Sequence, residues 1–225
     1  LEKDSNDALE ANINKNRQLL AELEAKQKAL AAEQDRLNKL KKDLEASSTR
    51  LAELEKMMAD KDAAMKKLKE TLSKSLKAFE GKGLTVTEKD GKVYVSMENK
   101  LLFESGSWTV GAEGKKAVDL VGKVLGDNPE ISVLIEGHTD NDKITGTIGG
   151  GVENNWDLST KRATAIVNIL TTNAKVKKEN LTAAGRGEYA PLMSNETAEG
   201  KAKNRRIEII LTPKLDEISK MLNEL

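Results

Sequence analysis

The chain has 225 residues, of which 33 % are charged and 3 % aromatic, with 37 basic side chains against 37 acidic ones. A formal charge of zero excludes the bulk-basic class of nucleic-acid binders. The lack of cysteine excludes disulfides, thiolate metal sites and cysteine nucleophiles, and one histidine, His138, is too few for a two-histidine metal motif.

Residues 1–80 contain no glycine and no proline, and carry 17 basic and 16 acidic residues. All sixteen glycines and all three prolines follow. Every seventh residue from Leu9 reads Leu9, Asn16, Leu23, Leu30, Leu37, Leu44, Leu51, Met58, Met65, Leu72, Phe79, apolar at ten of eleven positions. Sustained heptad spacing among strong helix formers predicts a left-handed coiled coil. A helix over residues 5–80 would be roughly 115 Å long. One narrow stripe stabilises a lone helix poorly and needs a partner, so self-association through residues 9–79 is expected. A hairpin folding back near Ser47-Ser48 and a solvated tether are the alternatives. No apolar run approaches the ~20 residues of a membrane span. Because the chain begins at Leu1, an upstream signal or anchor segment is expected, and membrane contact only through it.

From Gly81 the pattern changes. Leu84–Thr87 and Lys92–Met97 alternate around Lys89-Asp90-Gly91, a hairpin signature. Leu101-Leu102-Phe103 forms a short apolar cluster. Ala117, Val118, Val121, Val124 and Leu125 repeat with a helical period, ended by Gly126 and Pro129. Ile131–Ile135 reads as a central strand that leads into Glu136-Gly137-His138-Thr139-Asp140 and a Gly-rich loop to Asn155. A helix follows from about Asp157, then a short strand at Leu181–Gly185, a polar loop through Pro191 and Gly200, and a strong strand at Asn204–Leu211. Pro213 opens an amphipathic tail helix. Crossover helices between strands, with a hairpin in front, predict a mixed sheet covered on one side.

Three segments carry possible chemistry: Gly137–Asp140, Asn155 with Leu158–Ala163, and Asn204–Ile207. Asp140 falls just past the end of a buried strand, where open sheets receive ligands. Arg162 lies one turn into the next helix. A carboxylate and a guanidinium facing one pocket suit a zwitterion, with Asp140 for an ammonium and Arg162 for a carboxylate, and helix N-terminal N–H groups would add donors. A plain structural salt bridge would use the same two residues. Strand alternation puts Arg205 and Arg206 on opposite faces, and Arg206 is read as the one facing the site. His138 reads as a structural or pocket-wall residue rather than a base. Trp156 reads as packing against the helix start. Asp140-Asn141-Asp142 begins like a calcium loop but lacks its later ligands and turn glycine, and the glycines at 146 and 149–151 precede no P-loop lysine.

Ile135-Glu136-Gly137-His138-Thr139-Asp140, with Asn155, Leu158-Ser159, Arg162-Ala163, Gly185, Gly187, Pro191 and Asn204-Arg205-Arg206-Ile207, closely resembles the OmpA-like C-terminal domain shared by outer-membrane porin tails, peptidoglycan-associated lipoproteins and flagellar stator proteins. Leu101–Ser107 looks like that family's opening strand and turn. The resemblance covers about residues 84–212. It implies an α+β fold, a β-α-β-α-β two-layer sandwich with a mixed sheet, here preceded by a coiled-coil spacer over residues 1–80 and followed by a tail helix over residues 213–225. It also implies non-covalent binding of peptidoglycan through the diaminopimelate of its stem peptide, without metal or cofactor and without enzymatic activity. The main ligand residues map onto Asp140 and Arg162, and Thr139, Asn155, Leu158 and Arg206 map onto supporting positions. The implied setting is the periplasm of a Gram-negative bacterium, associated with the outer membrane. A stator-like motor component and a coiled-coil envelope scaffold are the alternatives, and a wall hydrolase lacks a plausible catalytic set. Fourteen residues separate Asp140 from Asn155, where the family usually has about seven, so a flap or a mobile excursion is expected there.

Overall fold

The Ala-, Glu-, Lys- and Gln-rich segment forms a single helix, α1, Glu2–Ser75, with no break at Ser47-Ser48. The computed structural model describes residues 2–104, 106–145 and 148–223. Compactness divides the chain into Leu1–Lys56 and Met57–Leu225. In the first unit the heptad stripe faces solvent: Leu9, Leu23, Leu30, Leu37, Leu44 and Leu51 are between 52 % and 71 % exposed. In the second unit Met65, Leu72 and Phe79 of the same series, with Leu68 and Leu76, are buried in the main hydrophobic cluster. The compact unit thus starts well before the composition boundary at residue 80. One uninterrupted periodicity serves two environments, because the α/β core itself covers the last three heptads.

Five strands form the sheet: β1 (Leu84–Lys89), β2 (Lys92–Glu98), β3 (Ile131–His138), β4 (Leu181–Gly185) and β5 (Arg206–Pro213), in the order β1-β2-β5-β3-β4. Only β3 and β4 pair in parallel. Asp90 and Gly91 both take positive φ, 53° and 70°, as the tight hairpin predicted at this dipeptide requires. Alternation then sorts the two faces. Val95, Ile209 and Ile135 lie in one cross-strand row, and Val93, Leu211 and Val133 in another. These residues are buried in one cluster with Ala117, Val118 and Val121 of α3 (Ala112–Gly126) and Ala163, Ile166 and Leu170 of α4 (Asn155–Leu170). The other face carries Ser96, Glu208 and Glu136 in one row and Glu98, Arg206 and His138 in the next.

Three local readings change. Leu101-Leu102-Phe103 is not a strand: Asn99–Leu102 is a single helical turn, α2, closed by Phe103 N–H donating to Asn99 O at 2.7 Å, and Phe103 makes only an isolated bridge to Val110. Ser105, in the same segment, lies outside the described residues. The loop after Pro191 contains a helix, α5 (Ala198–Asn204), capped by the Thr197 hydroxyl, which accepts from Gly200 N at 3.0 Å. α5 has no apolar stripe, so no periodicity announces it. Pro213 ends β5 opposite Ile131 instead of opening the tail helix, and α6 runs from Asp216 to Asn223. Leu225, read as part of the tail, lies outside the described residues.

Candidate functional site

Gly137 and Gly185 are partners in the β3–β4 register. A Cβ on Gly137 would collide with the Ser159 carbonyl, and one on Gly185 with the Thr160 hydroxyl. Two strands without side chains at this row let the first turn of α4 sit directly on the sheet. Asn154 caps that turn, its Oδ1 accepting from Trp156 N at 2.9 Å and Asp157 N at 3.1 Å. The Ser159 hydroxyl accepts from Gly187 N at 3.1 Å and ties the helix to the chain after β4. Leu158 and Arg162 are thereby held beside the exit of β3, where the chain continues into Thr139 and Asp140.

An open cavity of ≈ 820 Å³ lies there. Thr139, Asp140, Asn155, Leu158 and Arg162 line it, as does Arg205. Four basic residues (Lys100, Lys143, Arg162, Arg205) and three acidic ones (Glu104, Asp140, Asp142) contribute to its wall. Arg206 does not line it. Its side chain is on the uncovered sheet face, where Nε donates to Glu208 Oε1 at 2.7 Å and the Nη groups donate to the Asn204 and Ala190 carbonyls at 3.2 Å. The two arginines do point to opposite faces, but Arg205 is the one at the cavity.

Asp140 and Arg162 are both buried in the cavity wall, yet they are not each other's main partner. Asp140 Oδ2 accepts from Arg205 Nη1, and Oδ1 accepts from Asp142 N at 3.1 Å. Arg162, only 5 % exposed, donates from Nε to Ser107 O at 3.0 Å and lies over the Phe103 ring at 5.3 Å. Among the described residues its Nη groups form no hydrogen bond to protein. Burial, then Arg205, pushes the Arg162 pKa down to about 10, with Asp140 pulling the other way. It therefore stays a cation at neutral pH, held at a desolvation cost that Asp140 offsets only in part.

Asn155 works as a clamp on the long loop. Its Nδ2 donates to Glu188 Oε2 at 2.8 Å, to Asp142 O at 3.1 Å and to Asp140 O at 3.4 Å. Lys201 reaches Asp142 Oδ1 at 2.6 Å from the far side of the loop. Asp142, Lys143, Ile144, Thr145 and Ile148 line the cavity, so the extra length forms part of its wall. Gly149, Gly150 and Gly151 all have positive φ, 86°, 61° and 74°, a run that side chains rarely tolerate. The Gly150 carbonyl accepts from Lys161 Nζ. Residues 146 and 147 lie outside the described residues. Trp156 is half-exposed and stacks on Tyr189, with ring centroids 5.2 Å apart, instead of packing into the helix start.

His138 points away from the cavity and is 2 % exposed. Burial first, then Arg206 and Arg186, pushes its imidazole down to about 3. Carboxylate oxygens of Glu136 and Glu208 lie 3.5 and 3.9 Å from its Nε2. With the folded pKa below the ordinary 6.5, the unfolded chain binds the extra proton. This contribution to stability is complete above about pH 6.5 and is lost as pH falls toward 3, by at most about 1.4 kcal/mol per pH unit. Urea midpoints measured across that window should fall with acidification, and should fall less steeply in His138→Asn.

The chain thus builds an α+β domain whose mixed, one-sided sheet carries a charged cavity beyond a strand's C-terminal end. The chain carries an OmpA family domain: the family's profile matches residues 102–205. It is 35 % identical over 120 residues to Motility protein B of Bacillus subtilis, covering 53 % of this chain and 45 % of that protein. It is also 35 % identical over 133 residues to the probable lipoprotein YiaD of Escherichia coli, covering 59 % and 57 %. Among solved structures, the cell wall anchor of the T6SS from Pseudomonas aeruginosa aligns with a TM-score of 0.57 at 28 % identity, over 64 % of this chain and 97 % of that one. The chain spans about half the length of the curated relatives it matches.

Proposed function

We propose that the domain binds peptidoglycan non-covalently, taking the diaminopimelate end of the stem peptide into the cavity between α4 and the β3 exit. The observation that carries this reading is Arg162: a buried, charged guanidinium beside Asp140 whose Nη groups form no hydrogen bond to protein among the described residues. A side chain ending in both an ammonium and a carboxylate matches that pair, the carboxylate on Arg162 and the ammonium on Asp140, with Arg205 sharing the Asp140 carboxylate. Thr139, Asn155 and Leu158 shape the walls, and Arg205 takes the place expected of Arg206. The kinship with a cell wall anchor supports the same ligand. Binding is reversible and the domain acts as a holder of the wall, not as an enzyme on it. Co-sedimentation with purified sacculi tests this: the parent chain should pellet with them and Asp140→Ala should remain in solution. Sacculi that fail to retain the parent would refute the reading.

The exposed stripe from Leu9 to Leu51 is the self-association seam, and the helix pairs as a parallel coiled coil. Sedimentation equilibrium should give an assembly larger than one chain, and replacing Leu23, Leu30 and Leu37 by serine should return it to the monomer. The setting is the periplasm, in association with the outer membrane. The similarity to a motility protein favours a second reading, in which the same domain holds a motor stator to the wall. Among the described residues no helix is long and apolar enough to cross a membrane. An upstream span with an intramembrane acidic residue would select the motor.

A further inference from the structure

The uncovered sheet face holds a second cluster that the peptidoglycan reading does not use. Glu136 and Glu208 are direct cross-strand partners on β3 and β5. Like charges placed opposite each other are destabilising unless something positive lies between them. His138, two residues along β3, turns its ring toward both: Nε2 is 3.5 Å from Glu136 Oε2 and 3.9 Å from Glu208 Oε2. Neither ring nitrogen of this buried imidazole has a hydrogen-bond partner. One ligand atom from each of the three residues falls within 4.8 Å of the other two.

We propose that Glu136, His138 and Glu208 form a binding site for a divalent transition-metal ion, zinc being the best fit. A neutral imidazole with two carboxylates is a donor set that zinc accepts and that magnesium and calcium do not favour. Bonds of about 2.0–2.2 Å would draw the ligand atoms in from separations of up to 4.8 Å to roughly 3.5 Å, within reach of carboxylate side-chain rotation, and the ion would remove the repulsion between the two carboxylates. Arg206 already orients the site: its Nε bonds Glu208 Oε1 at 2.7 Å and leaves Oε2 facing the imidazole, the outer-shell role that tunes ligating carboxylates. Glu136 makes no ion pair other than the one to His138 among the described residues. The Tyr94 hydroxyl sits in the same field, its pKa raised by burial and then by Glu208, Asp90 and Glu136. Two features limit affinity. Nδ1 of His138 has no acceptor behind it, a support whose loss typically weakens metal sites by about 10–100-fold, and Arg206 and Arg186 add positive charge nearby. The site is therefore an exchangeable one.

The test uses the full chain without an affinity tag, stripped with EDTA. Zinc should bind with one-to-one stoichiometry by calorimetry and raise the unfolding temperature, and cobalt should give visible ligand-field absorption. Glu136→Gln and Glu208→Gln keep the side-chain shape, and each should weaken zinc binding by roughly 10-fold or more. Sacculus binding by the parent should be the same with and without EDTA, which separates this site from the cavity. A folded parent that takes up no zinc, or unchanged uptake in either glutamine variant, would overturn the proposal.

Discussion

Arg162→Met is expected to abolish retention on sacculi while leaving the protein folded and no easier to melt. Methionine keeps an unbranched stem that can lie over Phe103 but removes the guanidinium. Losing one member of a desolvated charge pair costs a complex about 2–5 kcal/mol, so affinity should fall by at least roughly 30-fold. Stability should move the other way or stay level. The free protein holds Arg162 as a buried cation whose neighbouring carboxylate is already engaged by Arg205 and offsets its desolvation only in part, and replacing buried charge with a well-packed apolar group is often neutral or stabilising. This opposite response separates a ligand anchor from a structural salt bridge, which would lose stability on the same change. Binding assays and thermal unfolding on one preparation decide it, and full retention by Arg162→Met would remove Arg162 from the site.

The second large effect concerns where the domain begins. A chain starting at Leu84 should fail to fold stably, whereas one starting at Met57 should unfold cooperatively near the parent's temperature. The shorter chain loses Met65, Leu68, Leu72, Leu76 and Phe79, all buried in the main core. Each such side chain contributes roughly 1.5–3 kcal/mol. Even after discounting for a compact unfolded state, their sum exceeds about 5 kcal/mol, comparable with the whole stability of a typical domain. Circular dichroism melts of the two truncations make the comparison, and a cooperative native-like melt from the Leu84 chain would show the helix end to be dispensable.

The fold is legible where one physical rule acts alone. Val93, Val95, Ile207 and Ile209 alternate because one sheet face is buried, and Asp90-Gly91 is a turn because both residues need positive φ. The heptads are equally plain as a periodicity, but a stripe of leucines does not say what covers it. From Leu9 to Leu51 it is open and from Met65 it belongs to the core, with no change in spacing. α5 escapes notice because its turns carry Glu199, Lys201 and Lys203 in place of an apolar face. The proposed site is legible as Asp140 and Arg162, the residue types a zwitterion needs at a strand exit and a helix start. The choice between Arg205 and Arg206 is not. Alternation fixes only that they diverge, and the side facing the cavity depends on α5: Arg205 N–H donates to Lys201 O as the helix ends, and the Arg205 carbonyl accepts from Asn99 N–H at 2.9 Å. The Glu136–His138–Glu208 cluster depends likewise on a cross-strand register that local sequence does not contain.

The most direct test compares two free stem tripeptides by calorimetry, one carrying diaminopimelate and one carrying lysine at the same position. They differ only in the side-chain carboxylate assigned to Arg162. The diaminopimelate peptide should bind, and the lysine peptide should bind more weakly by about 2 kcal/mol or more, with the difference vanishing in Arg162→Met. Equal affinity of the parent chain for both peptides would contradict the zwitterion site.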